Sequence, residues 1–291
     1  MRPVVVRDSL NALFFLAPAF FLYAIFVIYP TLDLFRFSFT SWDGVAPTKQ
    51  WVGVANYREL FSDKIFWQSF KNTLVWTTIV LFINVFIALI IAALLAEPIR
   101  GRVWFQLAYF LPAVQAGVVT ATIWRWMYQP QGVLNTFLRT IGLGQLARGW
   151  LGDFNFALPA LAIAGSWMSI GVNIAIFLGS IQNIDPSLYE SAKIDGATRF
   201  QLFRYITVPS LYHTIVIVLI LSTIGAFKTF DIVWATTQGG PVRATELLAT
   251  YMYKKGMLEV RYGYGSAIAV VLMLLIISLS AFYLFQRKGE M

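Results

Sequence analysis

Cysteine is absent from this chain of 291 residues, and histidine occurs once, at His213. Disulfides and thiolate metal sites are therefore excluded, and one imidazole leaves no His-based metal or proton-relay centre. Charge is scarce as well. Only 12% of the residues are Asp, Glu, Lys or Arg, while 58% are hydrophobic; soluble domains run at about a quarter charged. Such a chain belongs in a membrane. The net charge of +8 raises nucleic acid as a partner. The basic residues are scattered between apolar runs, however, a pattern that suits anionic lipid and membrane topology and not a nucleic-acid surface. A phosphate-binding loop is missing too, since no Gly-x-x-x-x-Gly-Lys-Ser/Thr occurs. The fragment Gly263-Tyr264-Gly265 lacks a third glycine and opens an apolar run, so it reads as the start of a helix.

The chain does have apolar length. A helix needs about 20 apolar residues to cross the hydrocarbon core. Charge-free runs of that size are Leu10–Tyr29, Thr73–Ala96, Val103–Trp124, Phe156–Ile181, Ile206–Phe227 and Tyr264–Phe285. Pro209 marks the true start of the fifth, which extends to about residue 233. Arg2 and Arg7 precede the first run, but no small-residue cleavage site follows it, so it is expected to be a retained span and not a signal peptide. Backbone polar groups cannot be left bare in lipid, which makes all six runs helices and the protein an all-α membrane protein. Pro18, Pro112 and Pro159 are expected to kink spans one, three and four.

Six spans place both termini and the loop after span four on one side. Arg2, Arg7, Arg100, Arg102, Lys193, Arg199, Arg204, Arg287 and Lys288 give that side nearly twice the Lys and Arg density of the other. The bias assigns it to the cytoplasm. The outward loop 30–72 holds Trp42, Trp51, Tyr57, Phe61, Phe66 and Trp67. These read either as an aromatic belt with interfacial helices or as a docking surface for an external protein. Trp124-Arg125-Trp126 reads as an interface anchor.

The polar stretch 185–205, between spans four and five, is the most informative part of the sequence. Ser187-Leu188-Tyr189-Glu190 fits a Ser-x-x-Glu capping box, and Asp185-Pro186 fits a helix start equally well. Gly196 suits the left-handed position that ends a helix. Thr198-Arg199-Phe200-Gln201 is a second capping box. Two short helices joined at a corner follow. Ser191 and Ala192 are small enough to let another surface approach, and Glu190, Lys193, Asp195, Arg199 and Arg204 are available to pair with it. An ordinary interfacial hairpin is the alternative. A handle for an external motor is the functional reading, and the missing phosphate loop favours it.

Glu190-Ser191-Ala192, Gly196 and Ile206-Thr207-Val208-Pro209 have the spacing of the Glu-Ala-Ala loop of ABC importer permeases, which this chain resembles over nearly its whole length. Ser191 and Val208 replace the family's usual Ala and Leu, both conservatively in size. Gln182-Asn183-Ile184-Asp185-Pro186, Ile194-Asp195-Gly196-Ala197 and Thr237-Gln238-Gly239-Gly240-Pro241 resemble the maltose-type, carbohydrate-uptake branch. The resemblance implies one permease domain over residues 1–291, with the type I importer fold, in a bacterial inner membrane. It implies coupling helices seated on a cytoplasmic ATPase dimer through Tyr189, Glu190, Ser191, Ala192, Asp195, Gly196 and Arg199. It further implies a second homologous permease, an extracytoplasmic binding protein and a sugar substrate. No cofactor would be held by this chain, since ATP and Mg would be bound by the ATPase.

Polar groups inside spans are the default path candidates. Asn84, Gln115 and Asn173 lie in spans two, three and four, and Lys228 and Asp231 at the outer end of span five. Three residues apart on a helix, the last two are expected to neutralise each other. Sugars offer hydroxyls to amides and charges, and apolar ring faces to aromatics, so Asn173, Phe227, Lys228, Phe230, Asp231 and Trp234 are the expected path residues. A lone ion-coupled carrier is the competing function, with Asp231 as its single candidate ion ligand. An intramembrane enzyme lacks acid–base and metal-binding residues.

Overall fold

A computed structural model describes residues 15–97 and 99–287. In chain order its helices are α1 Phe15–Phe37, α2 Ala55–Ser62, α3 Lys64–Ala96, α4 Arg102–Val114, α5 Gly117–Met127, α6 Val133–Thr140, α7 Ala157–Ile181, α8 Pro186–Ile194, α9 Arg199–Leu202, α10 Tyr212–Phe227, α11 Asp231–Thr236, α12 Leu248–Tyr253 and α13 Tyr262–Arg287. Among the described residues the one β feature is an isolated bridge between Thr40 and Trp51. Five helical segments are long and apolar enough to cross a membrane: Phe15–Phe37, Lys64–Ala96, Ala157–Ile181, Tyr212–Thr236 and Tyr262–Phe285. A sixth appears when α4 and α5, bent by 107°, count as one span.

Spans four and six fall where the apolar runs place them. Span one continues to Phe37, beyond the expected Tyr29, and residues 10–14 of the expected run lie outside the described residues. Span two starts at Lys64 and not Thr73. A charge-free window misses this turn because Lys64 and Lys71 extend the helix past its apolar part. Span three is not a simple kinked helix. The expected bend at Pro112 is a full break, with a 3-10 turn over Leu111–Val114 and extended backbone at Gln115. Pro159, in contrast, sits in the first turn of an unbroken α7, where proline costs the helix nothing. The helix Phe15–Phe37 likewise runs on through Pro18.

The chain divides into two compact units. The described residues up to Asp63 join Met252–Val271 in one; Lys64–Tyr251 and Leu272 onward form the other. In the first, hydrogen bonds fix the aromatic loop. Asn56 Nδ2 donates to Ser38 O and Thr40 O, both at 2.8 Å, and Tyr57 donates to Ser38 Oγ at 2.7 Å. Arg261 donates to both carboxylate oxygens of Glu59 at 2.7 and 2.6 Å, and Tyr264 to Asp63 at 2.8 Å. A Cβ on Gly263 would fall on the Thr40 carbonyl oxygen, so close packing explains that glycine and no phosphate does.

The second unit is built on α7, whose small residues let neighbours approach. Gly171 abuts the Tyr109 carbonyl of α4, and a Cβ at Gly165 would lie 3.0 Å from the Trp76 ring of α3. Ala88 and Ala92 of α3 are fully buried in a cluster with Ile174, Phe177 and Leu178 of α7.

Candidate functional site

The corner between spans four and five forms from local signals. Pro186 has a helix-ready φ and no N–H to satisfy, so it takes the first helical position and leaves Asp185 as the cap. Asp185 Oδ1 accepts the Ser187 N–H at 2.9 Å. The Ser187-x-x-Glu190 capping box does not form, because Pro186 has already started the helix one residue before it. Hydrogen bonds from Ser187, backbone first and side chain second, hold the Asp185 carboxyl below its ordinary pKa. At the other end the Gly196 N–H donates to Lys193 O at 3.1 Å and the Ala197 N–H to Ala192 O at 2.9 Å. Gly196 has φ +78°. These are the two bonds and the left-handed residue of a Schellman motif, with Ala192 and Ala197 as its apolar pair. Both halves of the Thr198–Gln201 box are present.

The corner is solvent-facing. Glu190, Ser191, Lys193, Asp195, Gly196, Arg199 and Arg204 are exposed, and so are three large apolar side chains, Ile194 at 87%, Phe200 at 73% and Tyr205 at 71%. Apolar groups of that size left bare within a charged rim make the corner a candidate interaction surface. Sequence reasoning singled out the charges and missed Ile194 and Phe200, although a polar insert carrying bulky apolar residues was itself the signal. A groove of about 260 Å³ separates the two short helices, lined by Ala192, Asp195, Gly196, Ala197, Gln201 and Tyr205 among others. Tyr189 is half-buried and its hydroxyl lies 3.0 Å from Thr207 Oγ1. Arg199 faces Glu97 at 3.3 Å, an exposed pair of small energetic weight.

The expected path residues divide. Lys228 and Asp231 do not pair, since no ion pair joins them among the described residues. The reason is backbone: α10 ends at Phe227 and α11 starts at Asp231, so helical three-residue spacing does not hold between them. Asp231 instead opens α11 and packs against the first residue of α5, its Cβ 3.0 Å from where a Gly117 Cβ would lie. Two helix N-termini offer it favourable field. Phe230 and Trp234 stack, with centroids 5.5 Å apart and planes at 14°. Phe227 is buried at 2% exposure, and Asn173, at 6%, donates to Ser222 Oγ at 3.5 Å. These two join helix packing, whereas Lys228, Phe230, Asp231 and Trp234 cluster at the break. Asn84 similarly donates to Ser169 Oγ at 2.8 Å, and the buried Gln115 Oε1, beside the α4–α5 break, has no hydrogen-bond partner among the described residues.

Beyond α11 the chain makes a folded loop that sequence reasoning registered only as Thr237-Gln238-Gly239-Gly240-Pro241. Its centre is Glu246, fully buried, which accepts from Thr250 Oγ1 at 2.8 Å and faces Arg243 at 3.7 Å. A Cβ on Gly239 would lie 2.9 Å from that carboxylate, so the glycine run makes room for the acid. Asn72 Nδ2 donates to Arg243 O and Glu246 O at 3.1 and 3.0 Å. Arg125, read as an anchor to the interface, donates to Ala235 O and to Thr236 O and so holds the end of α11.

Comparison with known proteins agrees over the whole length. A probable ABC transporter permease of Pyrococcus horikoshii is 38% identical over 280 residues, covering 95% of each chain. The lactose transport system permease LacF of Rhizobium radiobacter is 34% identical over 281 residues, covering 94% of each. A solved bacterial ABC transporter involved in the import of the acidic polysaccharide alginate is similar in fold, with a TM-score of 0.84 at 25% identity over 98% of this chain and 97% of that one. Residues 66–288 match the family described as binding-protein-dependent transport system inner membrane component, and the chain belongs to that family as a multi-pass inner-membrane permease.

Proposed function

We propose that this permease forms half of the path of an ATP-driven importer for a sugar or sugar derivative, and that α8 and α9 are the handle by which a separate ATPase moves it. The observation that carries the reading is the corner itself. A Schellman turn and a capping box fix the facing ends of two short helices whose Ile194 and Phe200 are bare. The chain has no phosphate loop of its own, so the free energy enters from another polypeptide, where ATP and Mg bind. Sugar is supported by the relatives, a lactose permease and an alginate importer. It is also supported by the stacked Phe230–Trp234 pair beside Asp231 and Lys228, which offers a ring face next to charged hydrogen-bonding groups.

In this mechanism the handle and both termini are cytoplasmic. ATP closes the ATPase dimer, the corner follows, and the path, shared with a second homologous permease, turns outward to receive substrate from the binding protein. Hydrolysis resets it. A lone ion-coupled carrier needs no handle and leaves the corner without a role.

The test is to co-express the chain, carrying Glu190→Lys or Gly196→Asp, with the ATPase subunit that co-purifies with the unaltered chain. Glu190 is exposed and no atom lies within 4 Å of a Cβ at residue 196, so neither variant introduces a clash; Gly196→Asp also strains the left-handed turn at φ +78°, and Glu190→Lys tests the contact without that strain. The expected result is loss of ATPase co-purification and of uptake. Undiminished co-purification in both variants refutes the assignment of the corner.

A further inference from the structure

Two side-chain links tie the corner to its surroundings, and they differ in kind. The Arg199–Glu97 pair ties α9 to the end of α3, but its side chains are 87% and 49% exposed. The other is part-buried. Thr207 is 5% exposed and ends a π turn over Phe203–Thr207, two residues before Pro209. Pro209 has no N–H to return to the preceding turn and crowds the carbonyl four residues earlier, so the helical ladder widens there. The Thr207 hydroxyl donates to Leu202 O at 3.4 Å, and its oxygen lies 3.0 Å from the Tyr189 hydroxyl. With the Thr207 proton on Leu202, the Tyr189 O–H is the donor in the second bond. Two hydrogen bonds in series therefore run from α8 to the π turn that leads into α10.

We infer that the Tyr189–Thr207 hydrogen bond is the strut that makes α8 and span five move as one body. The corner alone does not lock them together: Gly196 is left-handed with open space around it, and the groove of about 260 Å³ keeps the facing sides of the two helices apart. A strut outside that groove, which neither Tyr189 nor Thr207 lines, converts displacement of α8 into displacement of α10. Tyr189 is thus a positioning residue, half-buried and turned away from the exposed face, while Ile194 and Phe200 remain outside. The inference rests on the reading of α8 as the ATPase handle.

The absence of cysteine makes the test direct. Spin labels go on at Leu188→Cys, 50% exposed on α8 and not among the residues assigned to the ATPase contact, and Ile217→Cys, 50% exposed on α10. The labelled chain is purified with its ATPase, and the distance between labels is read by pulsed EPR without nucleotide and with ATP plus vanadate. The expected result is one narrow distance, unchanged by nucleotide, in the labelled parent and in Thr207→Ser, which keeps the hydroxyl. In Tyr189→Phe and in Thr207→Val the ATPase still co-purifies, but nucleotide produces a second, shifted distance. Retention of the single, nucleotide-independent distance in both of these variants overturns the strut alone. So does a nucleotide-dependent distance in the parent. Failure of the ATPase to co-purify with the parent overturns the handle reading, and the strut with it.

Discussion

Replacing Glu246 by Gln keeps the volume over Gly239 and removes the charge. The cost follows from its surroundings. Arg243 is 39% exposed and Glu246 fully buried, 3.7 Å apart. An exposed pair contributes up to about 1 kcal/mol, and breaking a fully buried one costs about 3–5 kcal/mol. Water reaches Arg243 and softens its loss, which places Glu246→Gln at about 1–2 kcal/mol. Thr250 is not orphaned, because its hydroxyl has a second acceptor in Leu247 O at 2.9 Å. Glu246→Ala adds a cavity beside the glycine run and reaches about 3 kcal/mol. Ala244, 5% exposed in the same loop, reports the opening when Ala244→Cys supplies the chain's one thiol. With opening fast relative to maleimide labelling, the labelling rate rises roughly 5- to 30-fold in Glu246→Gln and by more than about 100-fold in Glu246→Ala. Labelling of Glu246→Gln at the parent rate refutes the claim that the buried charge holds this loop.

Other outcomes follow from named contacts. Gly171→Ala drives a methyl into the Tyr109 carbonyl and forces α4 off α7; thermal unfolding in detergent is expected to show a loss of about 1–3 kcal/mol. No ion pair joins Lys228 to Asp231 among the described residues and both are exposed, so a double-mutant cycle of Lys228→Gln and Asp231→Asn is expected to show a coupling below about 1 kcal/mol. The Asp185 carboxyl has its pKa lowered by Ser187, so its capping is fully present above the unfolded carboxylate value of about 3.9 and fades as pH falls through the lowered folded value. The protection factors of the α8 amides, corrected for the intrinsic pH dependence of exchange and compared with those of Asp185→Asn, are expected to be constant from neutrality down to about pH 4 and to fall only below it.

Much of this was legible in the residues. Charge-free length located spans four and six, and Gly196 with Thr198-x-x-Gln201 gave the corner its shape, because caps and left-handed turns are local chemistry. What stayed hidden depends on tertiary packing or on competition between local signals. Two start signals overlapped at Asp185 and Ser187, and the rigid Pro186 decided between them. Lys64 is helical because neighbouring helices bury Phe66 and Ser69, which a hydropathy window does not see. The Lys228–Asp231 pairing failed because a run of apolar residues does not reveal that its helix stops at Phe227. Glu246 lay in no motif; only the folded loop shows that Gly239 exists to make room for it.

The central claim is that the exposed corner at α8 and α9 seats a separate ATPase on the cytoplasmic side. Single photo-crosslinkers at Ile194 or Phe200, compared with one at Val45, which is 84% exposed in the loop before α2, test it in intact membranes. An ATPase adduct is expected from residues 194 and 200 and none from residue 45. No adduct from either corner position, or an ATPase adduct from residue 45, contradicts it.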